Sequence, residues 1–230
     1  MDEVIFVDKP KGMTSFGVVS RLRRILTEKM REEYTKRGET APKRLKVGHT
    51  GTLDPFATGL LIVLVGKATK KCERYLKMNK EYIAKIKLGE TSTTGDPEGF
   101  VQKIYTGRPI SGEKIKNVVQ SFQGKIQQTV PSFSAVKIDG ERAYKLARRG
   151  EKVEMPTREV EVFQIEILKY EWPILEIRAK VSSGTYIRTL GEDIGKKLGT
   201  GAYLTELRRT KIGEFDVKDA RELSEFGIFS

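Results

Sequence analysis

The chain has 230 residues, 38% of them hydrophobic and 8% aromatic, which is typical of a globular protein large enough to bury a substantial core. One cysteine, Cys72, excludes an internal disulfide, a single histidine leaves no Cys/His set for structural zinc, and no apolar run approaches the roughly 20 residues of a membrane helix. The net charge of +12 indicates a polyanionic partner, and because the basic residues are spread over several segments, nucleic acid is favoured over a membrane surface.

The N-terminus begins with acidic residues and a short apolar run, which is unlike a signal peptide, so we expect a cytoplasmic protein. Val4–Val7 predicts a buried strand that ends before the proline and glycine of the next segment. Ser15 is expected to cap a helix. Its apolar positions, three or four residues apart, are Val18, Val19, Leu22, Ile25 and Leu26.

Residues 30–46 are highly charged and poor in aliphatic side chains, and Gly38 and Pro42 would interrupt a helix there. We interpret them as a charged insertion at the surface. Two roles stay open for this insertion, a tolerated surface loop and an arm that contacts nucleic acid.

The segment Gly48–Pro55 combines two glycines, two threonines, the histidine and an aspartate followed by a proline in eight residues. Pro55 disfavours the α conformation at Asp54, so the carboxylate is presented from a stiff, extended loop. A carboxylate held in this way is a candidate nucleophile or general base, although an ordinary Asx turn would use the same residues. The apolar run Gly59–Val65 predicts a central strand that leaves this loop.

Three further elements are predicted before residue 125. Lys67–Lys77 is expected to be a helix with Ala68, Cys72, Tyr75 and Leu76 facing inward. Glu81–Leu88 alternates as a strand, which puts Tyr82 on the buried face. From the residues alone, Tyr82 is a core aromatic. Ser111 is expected to cap a helix that ends near Gly124.

The second half of the chain contains, in order, a short basic helix, a pair of strands and a longer helix. A short helix carries four basic residues on one broad face with no acid among them, namely Arg142, Lys145, Arg148 and Arg149. Residues 160–167 and 175–181 predict an antiparallel strand pair, and a helix should run from Gly184 to Gly199 with Arg188 in its first turn. A buried arginine needs a partner, and Glu192 and Asp54 are the candidates. A strand over 203–209 and a helix near Ala220 complete the chain.

Three motifs carry a resemblance to a known family. The central one is Gly48–Pro55 followed by Gly59-Leu60-Leu61, and the flanking ones are Asp8–Ser15 and Ser183–Leu190. Together they resemble the signature of the TruB family of tRNA pseudouridine synthases, in the order found in that family. The resemblance runs from about Val4 to about Arg209, which is nearly the whole chain.

The resemblance implies an α+β pseudouridine synthase fold, a curved, mixed and largely antiparallel sheet with flanking helices and a central active-site cleft. We expect residues 1–230 to form a single catalytic domain. Residues 127–152 resemble the family's mobile segment that clasps RNA. Family members usually carry a C-terminal PUA domain, and we expect none here.

The implied activity is conversion of a uridine in tRNA, most often uridine 55 of the T-arm, to pseudouridine. By match to the motifs, Asp54 would act on the sugar or base, Arg188 would pair with Asp54, and Tyr82 would stack on the flipped uracil. His49 would fill the vacated space, and Tyr186 and Leu207 would line the pocket. The expected RNA contacts are Lys9, Arg142, Lys145, Arg148 and Arg149, although the Lys9-Pro10 loop is interpreted mainly as structural support for the core.

No cofactor or metal is expected for this reaction, because it needs neither redox chemistry nor an external group. The expected partner is tRNA, with no obligate protein partner, and the expected state is a monomer. Two alternatives stay open. One is a dyskerin-type synthase that depends on guide RNA, and the other is a non-catalytic protein that binds or folds RNA.

Overall fold

A computed structural model describes residues 2–151 and 153–227. The α-helices are α1 (Ser15–Lys36), α2 (Cys72–Leu76), α3 (Gly112–Gln120), α4 (Ala143–Arg148) and α5 (Ile187–Leu198). The strands are β1 (Glu3–Lys9), β2 (Val47–His49), β3 (Thr58–Val65), β4 (Lys80–Leu88), β5 (Glu90–Ser92), β6 (Val101–Lys103), β7 (Gly124–Thr129), β8 (Lys137–Ile138), β9 (Glu141–Arg142), β10 (Thr157–Glu171), β11 (Ile174–Val181), β12 (Ala202–Ile212), β13 (Phe215–Asp216) and β14 (Arg221–Glu222). This mixture of helices with a large mixed sheet confirms the predicted fold class.

The chain forms two compact units. The first comprises residues 1–81 and 208–230, and the second comprises residues 82–207. The boundary falls inside β4 and β12, so each of these strands contributes residues to both units.

In the first unit the strands lie in the order β14-β1-β3-β12. β1 is antiparallel to β3, whereas β14 runs parallel to β1 and β12 runs parallel to β3. β3 reads as an uninterrupted apolar run because it is buried on both faces, with α1 covering one of them. Gly59 at its start has φ +105, and a side chain there would collide with the backbone of Arg209.

In the second unit the strands lie in the order β12-β4-β11-β10-β7. The long antiparallel pair β10–β11 matches the alternating pattern of the sequence. β7 pairs with β10, and this register places Gln128 opposite Arg158. Helix α5 ends where predicted, with Gly199 in the left-handed conformation as its C-cap.

Five expectations from the sequence are wrong in detail. The expected helix Lys67–Lys77 starts as the 3₁₀ helix Gly66–Lys71, and only Cys72–Leu76 is α-helical. Thr14, not Ser15, caps α1, because its side chain accepts the hydrogen bond from the Gly17 N–H. Helix α1 extends to Lys36 and so includes the first part of the charged segment 30–46, where Met30 is buried against the core. Leu76 is exposed instead of inward-facing. Residues 217–226 form two 3₁₀ turns and the short β14 instead of a helix.

A membrane span is not found in the described part of the chain, because none of its helices combines sufficient length with sufficient hydrophobicity.

Candidate active site

The Asp54 loop of the first unit joins β2 to β3 and is held on both sides of the aspartate. Ser15 Oγ donates to the Leu53 carbonyl (3.1 Å) and accepts from the Leu53 N–H (2.8 Å). On the other side, the Pro55 carbonyl accepts from the Gly12 N–H (2.8 Å) and from Lys9 Nζ (3.2 Å). The segment that follows β1 therefore fixes the backbone on both sides of Asp54.

Lys9 was expected to contact RNA, and its described contacts are internal. The side chain is fully buried, and its ammonium group also donates to the carbonyls of Pro10 (2.8 Å) and Met13 (2.6 Å). Three carbonyl acceptors compensate part of the cost of burying this charge. These contacts hold the two chain segments together, and a role in RNA contact stays a prediction.

Ser15 supports a first prediction, which separates loop positioning from general stability. Ser15→Ala should leave the N–H and carbonyl of buried Leu53 without a partner, which costs about 1–3 kcal/mol of stability. Because Leu53 precedes Asp54, we also expect turnover at saturating substrate to fall about tenfold or more. Thermal melts and single-turnover rates of Ser15→Ala and Ser15→Thr would test this.

The threonine variant keeps the hydroxyl group and should recover most of the lost turnover. A loss of stability in Ser15→Ala with an unchanged rate at a temperature where the variant is folded would contradict a positioning role.

A buried cation, Arg209, also supports the Asp54 loop. Arg209 is 1% exposed and donates to the carbonyls of Leu60 (Nε, 2.8 Å) and Gly51 (Nη2, 3.2 Å). Among the described residues no carboxylate lies within ion-pair distance of its guanidinium. An uncompensated buried charge is costly, and such charges concentrate at functional sites.

The charge of Arg209 contributes to the lowered pKa values of two neighbouring bases, His49 and Lys80. Burial, and secondarily Arg209, lowers the pKa of His49, which is therefore neutral at physiological pH. The same two causes lower the pKa of Lys80 to about 8. Lys80 Nζ donates to the carbonyls of Leu76 and Met78, both at 2.5 Å.

Arg188 is the central polar residue of the second unit. It is 4% exposed and donates to the carbonyls of Thr94 and Phe133, both at 2.7 Å. Its guanidinium also lies 3.4 Å from the carboxylate of Asp96. Asp96 is itself fixed by Thr94 Oγ1 (2.5 Å) and by the Glu98 N–H (3.0 Å). Arg188 is thus oriented by a turn that sequence analysis did not connect with it.

Glu192 was weighed as the partner of Arg188, and the ion pair described in the second unit is with Asp96 instead. The Glu192 carboxylate packs against the same turn, since a Cβ on Gly95 would lie 2.9 Å from Oε1. Burial raises the pKa of Glu192 to about 7, against the effect of Arg188 and with smaller contributions from Asp193 and Asp96. Glu192 is therefore partly protonated near neutral pH.

This raised pKa predicts a pH-dependent stability. Between pH about 4.5 and 7 the folded state keeps the Glu192 proton that the unfolded chain releases, so stability falls as pH rises through this window. Glu192→Gln should flatten that fall and raise the melting temperature at pH 8 by about 2–6 °C. Asp193→Asn is a comparison variant, because burial raises the pKa of Asp193 as well and its removal should flatten a separate part of the same fall. An unchanged pH profile in Glu192→Gln would contradict the assignment.

The three predicted pocket residues of the second unit occupy ordered positions. Tyr82 on β4 and Leu207 on β12 are 9% and 7% exposed. Tyr186 precedes α5. The Gln128 side chain accepts a hydrogen bond from the Tyr186 N–H (2.7 Å) and donates one to the Tyr186 carbonyl (3.0 Å). These positions are compatible with a pocket lining, which stays a prediction.

The basic helix, α4 with Arg142 and Arg149 at its ends, differs from the acid-free face that the sequence suggested. Arg149 forms a bidentate ion pair with Glu141 (2.7 and 2.9 Å) and another with Glu151 (2.6 Å). Arg142 donates to the Ala135 carbonyl. Lys145 and Arg148 are exposed, and the guanidinium carbon of Arg148 lies 5.7 Å from the centre of the Tyr144 ring.

The predicted catalytic residues therefore divide between the units, with Asp54 in the first and Tyr82 and Arg188 in the second. The proposed pairing of Arg188 with Asp54 stays a prediction. Ser15, Arg209 and Asp96 are the functional candidates that sequence reasoning missed. For Asp96 a signal was available, because Asp96-Pro97 repeats the proline-stiffened pattern of Asp54-Pro55.

Comparison with known proteins decides the family. Residues 37–187 match the family described as TruB family pseudouridylate synthase (N terminal domain). The chain belongs to the TruB family. Residues 188–227 match the family described as tRNA pseudouridylate synthase B C-terminal domain. The resemblance inferred from the three motifs is confirmed.

Curated relatives in the TruB family align over most of the chain. The tRNA pseudouridine synthase B of Parabacteroides distasonis is 44% identical over 92% of this chain and 86% of its own length. The enzyme of the same name from Aquifex aeolicus is 45% identical over 98% of this chain and 74% of its own length.

Solved structures support the TruB-type fold. A Cbf5-Nop10-Gar1 complex matches with a TM-score of 0.68 and 32% identity over 96% of this chain. An H/ACA RNP bound to a substrate RNA containing 2'-deoxyuridine matches with a TM-score of 0.66 and 30% identity over 96% of this chain. The chain spans about half the length of these matched structures, namely 52% and 50%.

Proposed function

We propose that this protein converts a uridine of tRNA, at position 55 in the T-arm, to pseudouridine. The observation that carries the proposal is the alignment with relatives named tRNA pseudouridine synthase B at 44–45% identity over 92–98% of the chain. The Asp54 loop supports it, because a carboxylate carried on a backbone that is held on both sides loses less conformational freedom in the reaction.

The reaction is an isomerisation in which no atom is added from outside. The bond between C1′ of the sugar and N1 of uracil breaks, the base turns, and a bond from C1′ to C5 forms. The hydrogen on C5 leaves as a proton, and N1 gains one. Asp54 acts as the nucleophile or as the base, and both routes are compatible with its place in the loop.

The target uridine must leave the helical stack before Asp54 can reach it, which costs a few kcal/mol. Tyr82 would stack on the extruded uracil, with Tyr186 and Leu207 beside it. His49 would occupy the vacated space. Its lowered pKa fits this role, because a neutral imidazole packs against a base without a desolvated charge.

Arg188 would orient the ionised Asp54, since its planar fork matches a carboxylate. Its hydrogen bonds to Thr94 and Phe133 and its ion pair with Asp96 support such a role, because they fix the guanidinium before substrate binds. No cofactor or metal enters these steps.

The deciding experiment incubates the isolated protein with an unmodified T-arm stem-loop transcript and measures pseudouridine at each position. Formation at position 55 without guide RNA or protein partners is the expected result. Binding without modification would favour a non-catalytic RNA-binding protein. Modification only after addition of guide RNA and partners would favour a dyskerin-type synthase, an alternative that the lower identity to the Cbf5 complex makes weaker.

Basic residues outside the pocket yield a prediction about affinity. Lys145→Gln with Arg148→Gln should raise KM and flatten the salt dependence of binding by about one unit of slope per lost phosphate contact. Turnover at saturation should change less, because both residues lie outside the catalytic loop. Arg149→Gln is the matched control, since its guanidinium is already paired with Glu141 and Glu151.

The charged segment is tested by substitution instead of deletion, because deleting it would remove buried Met30. The variant neutralises exposed positions only, namely Arg31, Lys36, Arg37 and Lys43. A lower affinity with a flatter salt slope would identify an arm that contacts RNA. Unchanged affinity and slope in this variant and in the Lys145/Arg148 variant would show that these charges form a solvated surface.

A further inference from the structure

Arg158 on β10 is held in a defined orientation beside Tyr186. Its guanidinium carbon lies 5.4 Å from the centre of the Tyr186 ring, within the range of a cation–π contact. Gly184 borders it on another side, since a Cβ at this exposed glycine, with φ +84, would lie 3.2 Å from Arg158 Nη1. The side chain is thus packed between a ring and a bare stretch of backbone.

The backbone of Tyr186 is itself held in place. Gln128 lies directly opposite Arg158 in the β7–β10 register, so the two side chains share one face of the sheet. Gln128 is fully buried and forms hydrogen bonds with both the N–H and the carbonyl of Tyr186. The two neighbouring side chains therefore hold Tyr186, one by its backbone and the other by its ring.

The hydrogen-bonding groups of Arg158 are unused within the described structure. No described acceptor takes a hydrogen bond from its guanidinium, and no described carboxylate forms an ion pair with it. The side chain is half-buried, so its edge is accessible. The neighbouring Glu159 is paired with Lys125 at 2.9 Å.

Other arginines of the second unit are committed to internal partners. Arg178 is paired with Glu166 (3.0 Å), Arg149 with Glu141 and Glu151, and Arg188 with Asp96. A guanidinium placed over an aromatic ring with unused donors is partly preorganised, because the cation–π contact restricts its position without occupying its donors. The planar fork then matches the oxygens of a phosphate group.

We propose that Arg158 binds a backbone phosphate of the RNA substrate next to the nucleotide that contacts Tyr186. The proposal rests on the proposed function, because it takes the polyanionic ligand to be RNA. Arg158 places one phosphate relative to Tyr186, and it thereby fixes the position of the sugar and base attached to that phosphate.

The test is a binding cycle between Arg158 and single phosphates of the T-arm stem-loop. Each RNA carries one methylphosphonate, which removes the charge of that phosphate, at one position around the target uridine. Affinities are measured for the wild-type protein, Arg158→Met and Arg158→Lys. The methionine variant keeps the apolar stem and removes the donors, whereas the lysine variant keeps the charge and loses the planar fork.

We expect Arg158→Met to bind the unmodified RNA about tenfold more weakly, with a salt slope smaller by about one unit. One methylphosphonate should weaken wild-type binding by a similar factor and have no further effect on Arg158→Met, which is the coupling expected for a direct contact. Arg158→Lys should lie between the two. Arg178→Met is the matched control and should bind like the wild type.

Equal affinities of wild type and Arg158→Met, or additive losses at every phosphate, would overturn the proposal. Thermal melts establish that each variant is folded at the assay temperature, and Arg158→Gln, which also removes the charge, provides the same comparison if the methionine variant is unstable. Pseudouridine formation by the wild type is scored separately. Absence of that product overturns the proposed function, whereas its presence without coupling overturns only the phosphate site.

Discussion

Replacement of Asp54 by asparagine is expected to abolish pseudouridine formation while RNA affinity stays within a few fold of wild type. The two side chains have nearly the same shape, so the substitution removes the ionised carboxylate and keeps the loop. The bonds of Ser15 to Leu53, and of Lys9 and Gly12 to Pro55, go to backbone atoms and do not require the Asp54 side chain. A fall in turnover without a fall in affinity identifies a group needed in the transition state.

The measurement compares single-turnover pseudouridine formation and equilibrium binding of the same T-arm RNA. Residual turnover above about one per cent of wild type would remove Asp54 from the central role. Asp8→Asn is a useful control, because it removes a carboxylate near the end of β1 that forms a bidentate ion pair with Arg208 (3.0 and 2.6 Å). It should affect stability more than chemistry.

The regular elements could be predicted because their patterns are local. Val4–Val7, Gly59–Val65 and the alternating runs of β4, β10 and β11 follow directly from the spacing of apolar residues. The end of α1 could not be predicted in this way. Its charged last turns pack on the core through buried Met30 and partly buried Tyr34, and two apolar side chains in a charged stretch are a weak periodic signal.

The Asp54 loop was recognisable, but its supports were not. Ser15 and Leu53 are 38 residues apart, and a hydroxyl residue at a helix start fits a cap as well as a long-range clamp. Thr14 caps the helix, so the Ser15 hydroxyl is available to bond to Leu53 in the loop. Arg209 is further still from Gly51 along the chain, and nothing local distinguishes it from the adjacent Arg208.

The orientation of Arg188 depends on a turn that lies about 90 residues earlier in the chain. Its donors go to Thr94, Phe133 and Asp96, and both side chains of the ion pair are at least 95% buried. A buried ion pair contributes little net stability, but removing one partner leaves the other charge uncompensated at a cost of about 3–5 kcal/mol. Changes at Asp96 should therefore affect both folding and the position of Arg188.

Arg188→Lys is expected to reduce pseudouridine formation by about a hundredfold or more, because an ammonium group cannot reach two carbonyls and a carboxylate in the fixed geometry of the planar fork. Asp96→Asn keeps shape and should cause a smaller loss, about tenfold, since the two carbonyls still orient the guanidinium. Arg178→Lys, at an exposed ion pair, is the control for the substitution itself. Rates are measured at saturating RNA, below the melting temperature of each variant. Retention of half the wild-type rate in Arg188→Lys, or a crystal structure of the RNA complex with the Arg188 guanidinium out of reach of the Asp54 carboxylate, would show that the proposed pairing is wrong.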